Sequence, residues 1–356
     1  MKFIDTLKNI YKIEELRKRI LFTLGLLLIY RLGSFVTLPG VDHDALKAMT
    51  EAFANDQSLL GLLNVFSGGA FSQASIFALG VMPYITASII IQLLGIMVPY
   101  FRKMQREGES GRRKMNQWTR FLTIGVLLLQ APAYLKTMVM RGDVIAMGES
   151  TFVYTSTLIL IAGTMFIMWL GEKITDRGIG NGISLIIMIG IVARLPQSFL
   201  QELMFQTTGG GSIIMLLVEL VFLALVFMLA IAIVQAVRKI PVQYAKRIVG
   251  NKQYGGVRQY IPLKLNAANV MPIIFAQALM FIPGLIWGGQ WLDITSFWYN
   301  FTLAVLVIAF TYFYTAIIVN PQMMADDMKR NGGFIPGVKP GKSTVKYIDD
   351  IMTRIT

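Results

Sequence analysis

The sequence predicts an all-α, polytopic membrane protein, and three observations carry that prediction. The 356-residue chain is 55% hydrophobic and only 15% charged, with mean hydropathy +0.59. A soluble domain stays near about 45–50% apolar even with glycine counted. Apolar segments of bilayer-spanning length recur along the chain. Lysine and arginine collect in alternate loops, the pattern that sets membrane orientation.

Taken in order, residues 1–19 ("MKFIDTLKNIYKIEELRKR") predict an amphipathic helix at the membrane surface, with Ile4, Leu7, Ile10, Tyr11 and Ile13 on its apolar side. No small-residue cleavage pattern closes the apolar stretch that follows, so this lead does not read as a cleaved signal. Eight spans are predicted at roughly 20–37, 74–98, 119–138, 152–171, 181–197, 212–236, 266–287 and 298–320. An even number puts both ends of this chain on one side. Of 33 basic residues, 28 fall in the lead, the loop 99–120, the turn near residue 175, the loop 237–264 and the tail. The opposite loops hold only Lys47 and Arg141. The basic set is therefore cytoplasmic, and the net charge of +13 is mostly topology. The expected organisation is a first half at 20–197, an external hinge at 198–211, a partial second half at 212–320 and a cytoplasmic loop at 321–356.

Much chemistry is excluded by counting. There is no cysteine and one histidine, His43, which rules out disulfides, thiolate chemistry and histidine-rich metal sites. No cofactor is expected, and no enzymatic activity. Within the apolar segments Glu219 is the one acid, with Arg31 and Arg194 near span ends. No acid–base pair can be set at the midplane, so an ion-coupled transporter is weakly supported. "PGKST" at 340–344 lacks the glycine that a phosphate-binding loop needs at Pro336. The spans carry neutral polar residues instead, such as Ser88, Asn181 and Ser184, whose plainest reading is helix–helix hydrogen bonding.

Residues 59–94 pose a specific problem. They carry no charge, and as one helix they would run about 54 Å against a hydrocarbon core of about 30 Å. Gly68-Gly69 among serines frees backbone groups that lipid cannot satisfy. Such backbone is tolerated only inside protein or beside a watery cavity. The expectation is a short re-entrant half-helix at 59–71, folding back into a span that starts near residue 74, and hence a plugged pore.

Several strings then become recognisable: "NVFSGGAFSQASIFALGVMPYITASIIIQLL", "REGESGRRK", "MWLGEKITDRGIGNGIS", "YAKR", "IPLKLN" and "GGFIPGVKPGKSTVKYIDDIMTRIT". From about residue 16 onward the chain strongly resembles bacterial SecY, the channel subunit of the general protein-secretion translocon. The resemblance implies ten spans in two inverted halves of five. Eight are present, so the chain is expected to be a copy cut before the ninth span. It also implies a plug at about 59–73, including Leu63, Asn64, Phe66, Ser67, Gly68 and Gly69. Pore-ring positions fall on Val81, Ile85, Ile183, Ile187 and Ile274, which would form a greasy gasket that dewets when empty. Lateral-gate contacts fall on Thr86, Gln92 and Asn266. Membrane hydrogen bonds average about 0.6 kcal/mol, so a few of them close such a gate without locking it. A leucine-rich signal gains roughly 3–6 kcal/mol on entering lipid, comparable to the roughly 5.5 kcal/mol that reverses a 1:99 equilibrium.

The resemblance also assigns partner docking to Arg112, Arg113, Lys246, Arg247, Arg258 and Lys339. The implied partners are SecE, SecG, the SecA motor, ribosomal RNA, SecDF, YidC, signal-bearing polypeptides and membrane lipid. The implied location is the bacterial cytoplasmic membrane. Lys339, in "GVKPG", stands where the family carries arginine, and lysine lacks the planar bidentate fork. The rival readings are a small-solute secondary transporter and a nonfunctional fragment.

Overall fold

The computed structural model describes residues 12–42, 64, 67–136, 148–208, 212–244, 247–249, 252–254, 258–268, 270–287 and 296–355. Leu63, Phe66, Lys246, His43, Lys47, Arg141 and most of the amphipathic lead lie outside them. The chain divides into two units, Met1–Gln201 with Phe281–Tyr299, and Glu202–Met280 with Asn300–Thr356.

Helices occupy all eight predicted segments. They are α1 (Glu14–Gly33), α2 (Met82–Met97), α4 (Glu109–Tyr134), α5 (Glu149–Arg177), α6 (Gly182–Val192) with α7 (Leu195–Thr208), α8 (Ile213–Gln235), α9 (Met271–Trp287) and α10 (Phe297–Ile318). Among the described residues α5, the α6–α7 stretch, α8 and the helical run beginning with α10 are long and apolar enough to cross a membrane by length and composition. The others are shorter, as with the 16 residues of α2, or carry charge at one end, as with Glu14 and Glu15 in the first turn of α1.

Three details differ from the sequence reading. Residues 14–19 belong to the first spanning helix rather than to a separate surface helix. The "loop" 99–120 is mostly helical. Val98 is extended and Pro99 opens a short helix, α3 (Pro99–Arg106), bent 101° from α2. Gly108, at φ 70°, then turns the chain into α4. The expected external hinge at 198–211 is helical through Thr208.

In the first unit, glycines let backbones cross closely. A Cβ on Gly182 would collide with the carbonyl of Gly171, so α5 and α6 meet through bare backbone. The turn between them is pinned by side chains. The Gly182 amide donates to Thr175 Oγ1 (2.9 Å), and the Ile179 amide donates to Thr23 Oγ1 of α1 (3.2 Å). Asn181 Oδ1 caps α6 by accepting from the Ser184 amide (3.2 Å). The Asn181 side chain thus serves helix entry. Arg120 of α4 pairs with Glu172 of α5.

In the second unit the basic loop 237–264 folds as strands. β1 (Val237–Tyr244) and β4 (Arg258–Lys264) pair antiparallel from Val237↔Lys264 to Gln243↔Arg258. β2 (Arg247–Val249) and β3 (Lys252–Tyr254) extend the hairpin toward its tip. β5 (Gly333–Phe334) joins the other edge of β1 at Gln243 and Tyr244 only. Pro241, with no amide hydrogen, therefore sits where that edge is uncovered. Ile240 and Val242 alternate inward and pack with Leu263, Met328, Ile335, Ile348 and Met352. Those last residues come from α11 (Pro321–Arg330), the turn after β5, and α12 (Lys342–Ile355). Thr344, Ile348 and Met352 are the buried residues of α12, at a spacing of four. The basic loop 237–264 and the segment 321–355 thus share one hydrophobic core.

Candidate pore and stopper

The buried segment at 67–80 carries four of the left-handed residues among those described. Residues 67–80 are turns and a bridge at Ser75 rather than helix, and α2 begins only at Met82, with Pro83 in its first turn. The expected span from residue 74 therefore starts about two turns later. The cause is backbone conformation. Gly68 (φ 65°), Gly69 (φ 94°), Ala74 (φ 44°) and Gly80 (φ 53°) are left-handed and cannot continue a right-handed helix.

The freed backbone groups find partners inside the protein, as burial demands. Asn64 organises the turn: its carbonyl accepts from the Gly69 amide (2.9 Å) and from Ser67 Oγ (3.1 Å), and its Oδ1 accepts from the Ser72 amide (3.0 Å). Ser67 Oγ accepts from the Phe71 amide (3.0 Å). The Phe71 carbonyl accepts from Tyr134 Oη of α4 at 2.7 Å. Farther along, Leu38 donates to the Ala74 carbonyl and Ile76 donates to that of Val36, each at 2.9 Å. The serines flanking the glycine pair are therefore backbone partners, which their local sequence alone does not reveal.

Packing completes the enclosure. Phe71, Ala74, Ala78 and Leu79 form one core with Leu127, Ala131, Tyr134 and Leu135 of α4 and its end, and with Phe152 and Leu160 of α5. Phe77 stacks on Tyr30 of α1 and on Phe166 of α5, with both centroid distances 6.0 Å. A side chain on Gly163 would strike the Ile76 carbonyl, so α5 gives the segment room by lacking one. This stretch faces protein, not lipid.

The ring candidates begin where the stopper ends. Val81 is the N-cap of α2, and its carbonyl accepts from the Ile85 amide (3.1 Å), so the pair shares one turn; both side chains are buried. Ile183 and Ile187 lie on α6 and are half-buried. Ile274 lies on α9 in the other unit. Of the gate candidates, Thr86 Oγ1 donates to the Met82 carbonyl (3.1 Å) and Gln92 Nε2 donates to Ser88 Oγ (3.3 Å). Both of these bonds stay within α2. Asn266 lies in the bend after β4, in the second unit.

The described docking candidates fall in both units, Arg112 and Arg113 in the first and Arg247, Arg258 and Lys339 in the second. Arg112 lines a cleft with Gln105, Gly108, Glu109 and Met115. Arg113 pairs with Glu109 at 2.9 Å, both well exposed, a contact worth only about 0.3–0.5 kcal/mol and easily exchanged. Arg247 and Arg258 lie in β2 and β4 of the hairpin. Lys339 is exposed in a turn between Gly337 and Gly341, both left-handed. Its carbonyl accepts from Thr344 Oγ1 (3.0 Å), which ties the turn to α12.

Sequence reasoning placed Arg31 and Arg194 near span ends but gave them no role. Arg31 Nη1 donates to the Gly68 carbonyl at 2.9 Å, and Arg194 Nη2 donates to Ser72 Oγ at 3.4 Å. A string search cannot pair them, because these partners are 37 and 122 residues away.

Apolar helices of spanning length, with irregular, buried backbone between the first two, define a multi-pass membrane channel or transporter. Comparison with known proteins narrows the class. The SecY family model matches residues 75–356. Protein translocase subunit SecY of Streptomyces galbus is 41% identical, over 97% of this chain and 84% of that protein. SecY of Escherichia coli K12 is 42% identical, over 96% of this chain and 81% of that one. This chain belongs to the SecY family. Among solved structures, a protein-conducting channel aligns with TM-score 0.65 at 16% identity, over 95% of this chain and 82% of that one. Sec61 in the canine ribosome–channel complex aligns with TM-score 0.58 at 16% identity, over 94% and 81%. These last two likenesses speak to the fold.

Proposed function

We propose that this protein is the pore-forming subunit of a Sec-type translocon in a bacterial cytoplasmic membrane, passing unfolded polypeptides across and releasing hydrophobic segments sideways into lipid. The single observation that carries this reading is the buried re-entrant turn at 67–80, joined to 41–42% identity with SecY proteins along nearly the whole chain. The protein acts as a passive conduit rather than an enzyme. The plug expected at about 59–73, whose described part lies in the buried turns at 67–80, stoppers the passage, and Val81, Ile85, Ile183, Ile187 and Ile274 are the gasket candidates. A greasy constriction excludes water and ions when empty and yields around an extended chain. Thr86, Gln92 and Asn266 are our candidates for the lateral-gate contacts. A few neutral hydrogen bonds, at about 0.6 kcal/mol each in a membrane, would close such a gate without locking it against a hydrophobic signal.

The shared core beneath the hairpin and the 332–341 turn supports the cytoplasmic docking role, since partners meet one folded body rather than two floppy loops. The partner classes are a ribosome, engaged through RNA phosphates, a SecA-type motor, and SecE- and SecG-type subunits in the membrane. Charge reversal of Arg247 and Lys339 together is expected to weaken ribosome binding in cosedimentation at low and physiological salt, with the loss shrinking as salt rises. It should also flatten the salt dependence.

The test of function is reconstitution of the protein with these partners in vesicles, with protease protection of a signal-bearing precursor as the readout. Protected precursor is the expected result. Gradient-driven uptake of a small solute by the protein alone, with no precursor protected, would overturn the proposal.

A further inference from the structure

We infer that Arg31 and Arg194 form a two-part clasp that holds the stopper shut. The inference rests on the channel reading above. Arg31 stands in the last turn of α1, and Arg194 in the short break between α6 and α7. From these separate elements their guanidinium groups reach the same re-entrant turn, one taking the Gly68 carbonyl and the other Ser72 Oγ. The glycine pair exists to let them in. A Cβ on Gly69 would lie 2.6 Å from Arg194 Nη2 and 2.9 Å from its Nε. A Cβ on Gly68 would lie 3.2 Å from Arg31 Nη1 and 2.8 Å from the backbone carbonyl of Gly190 in α6. Both glycines are left-handed as well, so a side chain at either is opposed by conformation and by the approaching cations.

Two features mark this as a releasable fastening rather than a structural ion pair. Among the described residues neither arginine is paired with a carboxylate, and their acceptors on the stopper are a carbonyl and a hydroxyl, both neutral. A charged donor on a neutral acceptor holds more firmly than an ordinary hydrogen bond yet less than a charge pair. Arg31 is also steadied from behind. Its guanidinium lies 4.6 Å from the Phe35 ring centroid, and Nη1 is 3.5 Å from Ser34 Oγ. When the stopper withdraws, Arg31 therefore stays with α1 and only the contact to the turn breaks. Charged side chains at membrane depth are costly and persist where they act. Here they position the segment that closes the passage.

The test uses the full protein with its partner subunits in nanodiscs and vesicles, with Arg31→Gln, Arg194→Gln, the double variant, and Arg31→Lys. Amide exchange over 67–80 is read beside exchange in α4 and α5, together with resting ion leak. Each single Gln variant should speed exchange over 67–80 by about tenfold, the scale of one charge-assisted hydrogen bond. The double variant should speed it further and raise the leak, while α4 and α5 keep their protection. Arg31→Lys, still able to donate to the Gly68 carbonyl, should recover most of the loss. Unchanged exchange in the double variant, or equal acceleration in α4 and α5, would overturn the clasp. If the parent protein fails to protect precursor but the variants still free residues 67–80 selectively, the channel reading falls and the clasp stands.

Discussion

Replacing Gly69 by valine is expected to unseat the stopper and leave the channel leaking at rest. The native φ of 94° is closed to a β-branched residue, and a forced left-handed conformation costs about 1–3 kcal/mol. The new Cβ also meets Arg194 Nη2 at 2.6 Å. If the chain relaxes to negative φ, it forfeits the amide bond from Gly69 to the Asn64 carbonyl and disturbs the Ser72 amide bond to Asn64 Oδ1. One substitution therefore removes the geometry on which several buried bonds depend. The rest of the first unit should hold, because the α5–α6 crossing at Gly171 and Gly182 and the Arg120–Glu172 pair lie elsewhere. Halide flux into vesicles reporting a several-fold higher resting leak, with an unchanged helical circular dichroism signal, is the expected outcome. Flux equal to the parent's would count against a sealing role for the turn.

The second large effect is expected at the gasket. Asparagine in place of both Ile85 and Ile187 lines the constriction with smaller side chains that end in amides. An apolar constriction excludes water by dewetting, and polar groups remove that barrier. Ile85 is also buried at the start of α2, where an unpaired amide costs about 1–3 kcal/mol and so favours the hydrated state. The double variant should leak strongly even with the stopper intact and should accept precursors whose signals are impaired. Ile85→Leu with Ile187→Leu keeps the surface greasy and should stay tight. Equal leak in the leucine and asparagine variants would separate the seal from side-chain polarity and remove these residues from it.

The parts that could be read from sequence were those written in one continuous stretch. Eight apolar runs became eight helical segments because hydrocarbon length sets the length of a span. The break at Gly68-Gly69 was legible because two glycines in an overlong uncharged run leave little alternative. Its consequences were not. Residues 74–81 are apolar and look helical, yet Ala74 and Gly80 are left-handed and the helix waits for Met82. The hairpin at 237–264 was masked by Pro241 and Pro262, which demote a strand unless its free edge is known. Arg31 and Arg194 were visible as charges at span ends, but their partners come from elsewhere in the chain. Thr86 and Gln92 show the converse. Their polarity suggested contacts between helices, and helix geometry gave them partners four residues away.

The native chain contains no cysteine, so a single introduced thiol reports without background. Ser67→Cys and Phe71→Cys, placed in the parent assembly in lipid vesicles, can be challenged with a membrane-impermeant thiol reagent at rest and with a precursor stalled midway. The account predicts slow labelling at rest, no quenching of an attached fluorophore by lipid-borne quenchers, and much faster labelling once the precursor is engaged. Strong lipid quenching at rest, or labelling indifferent to the precursor, would contradict it.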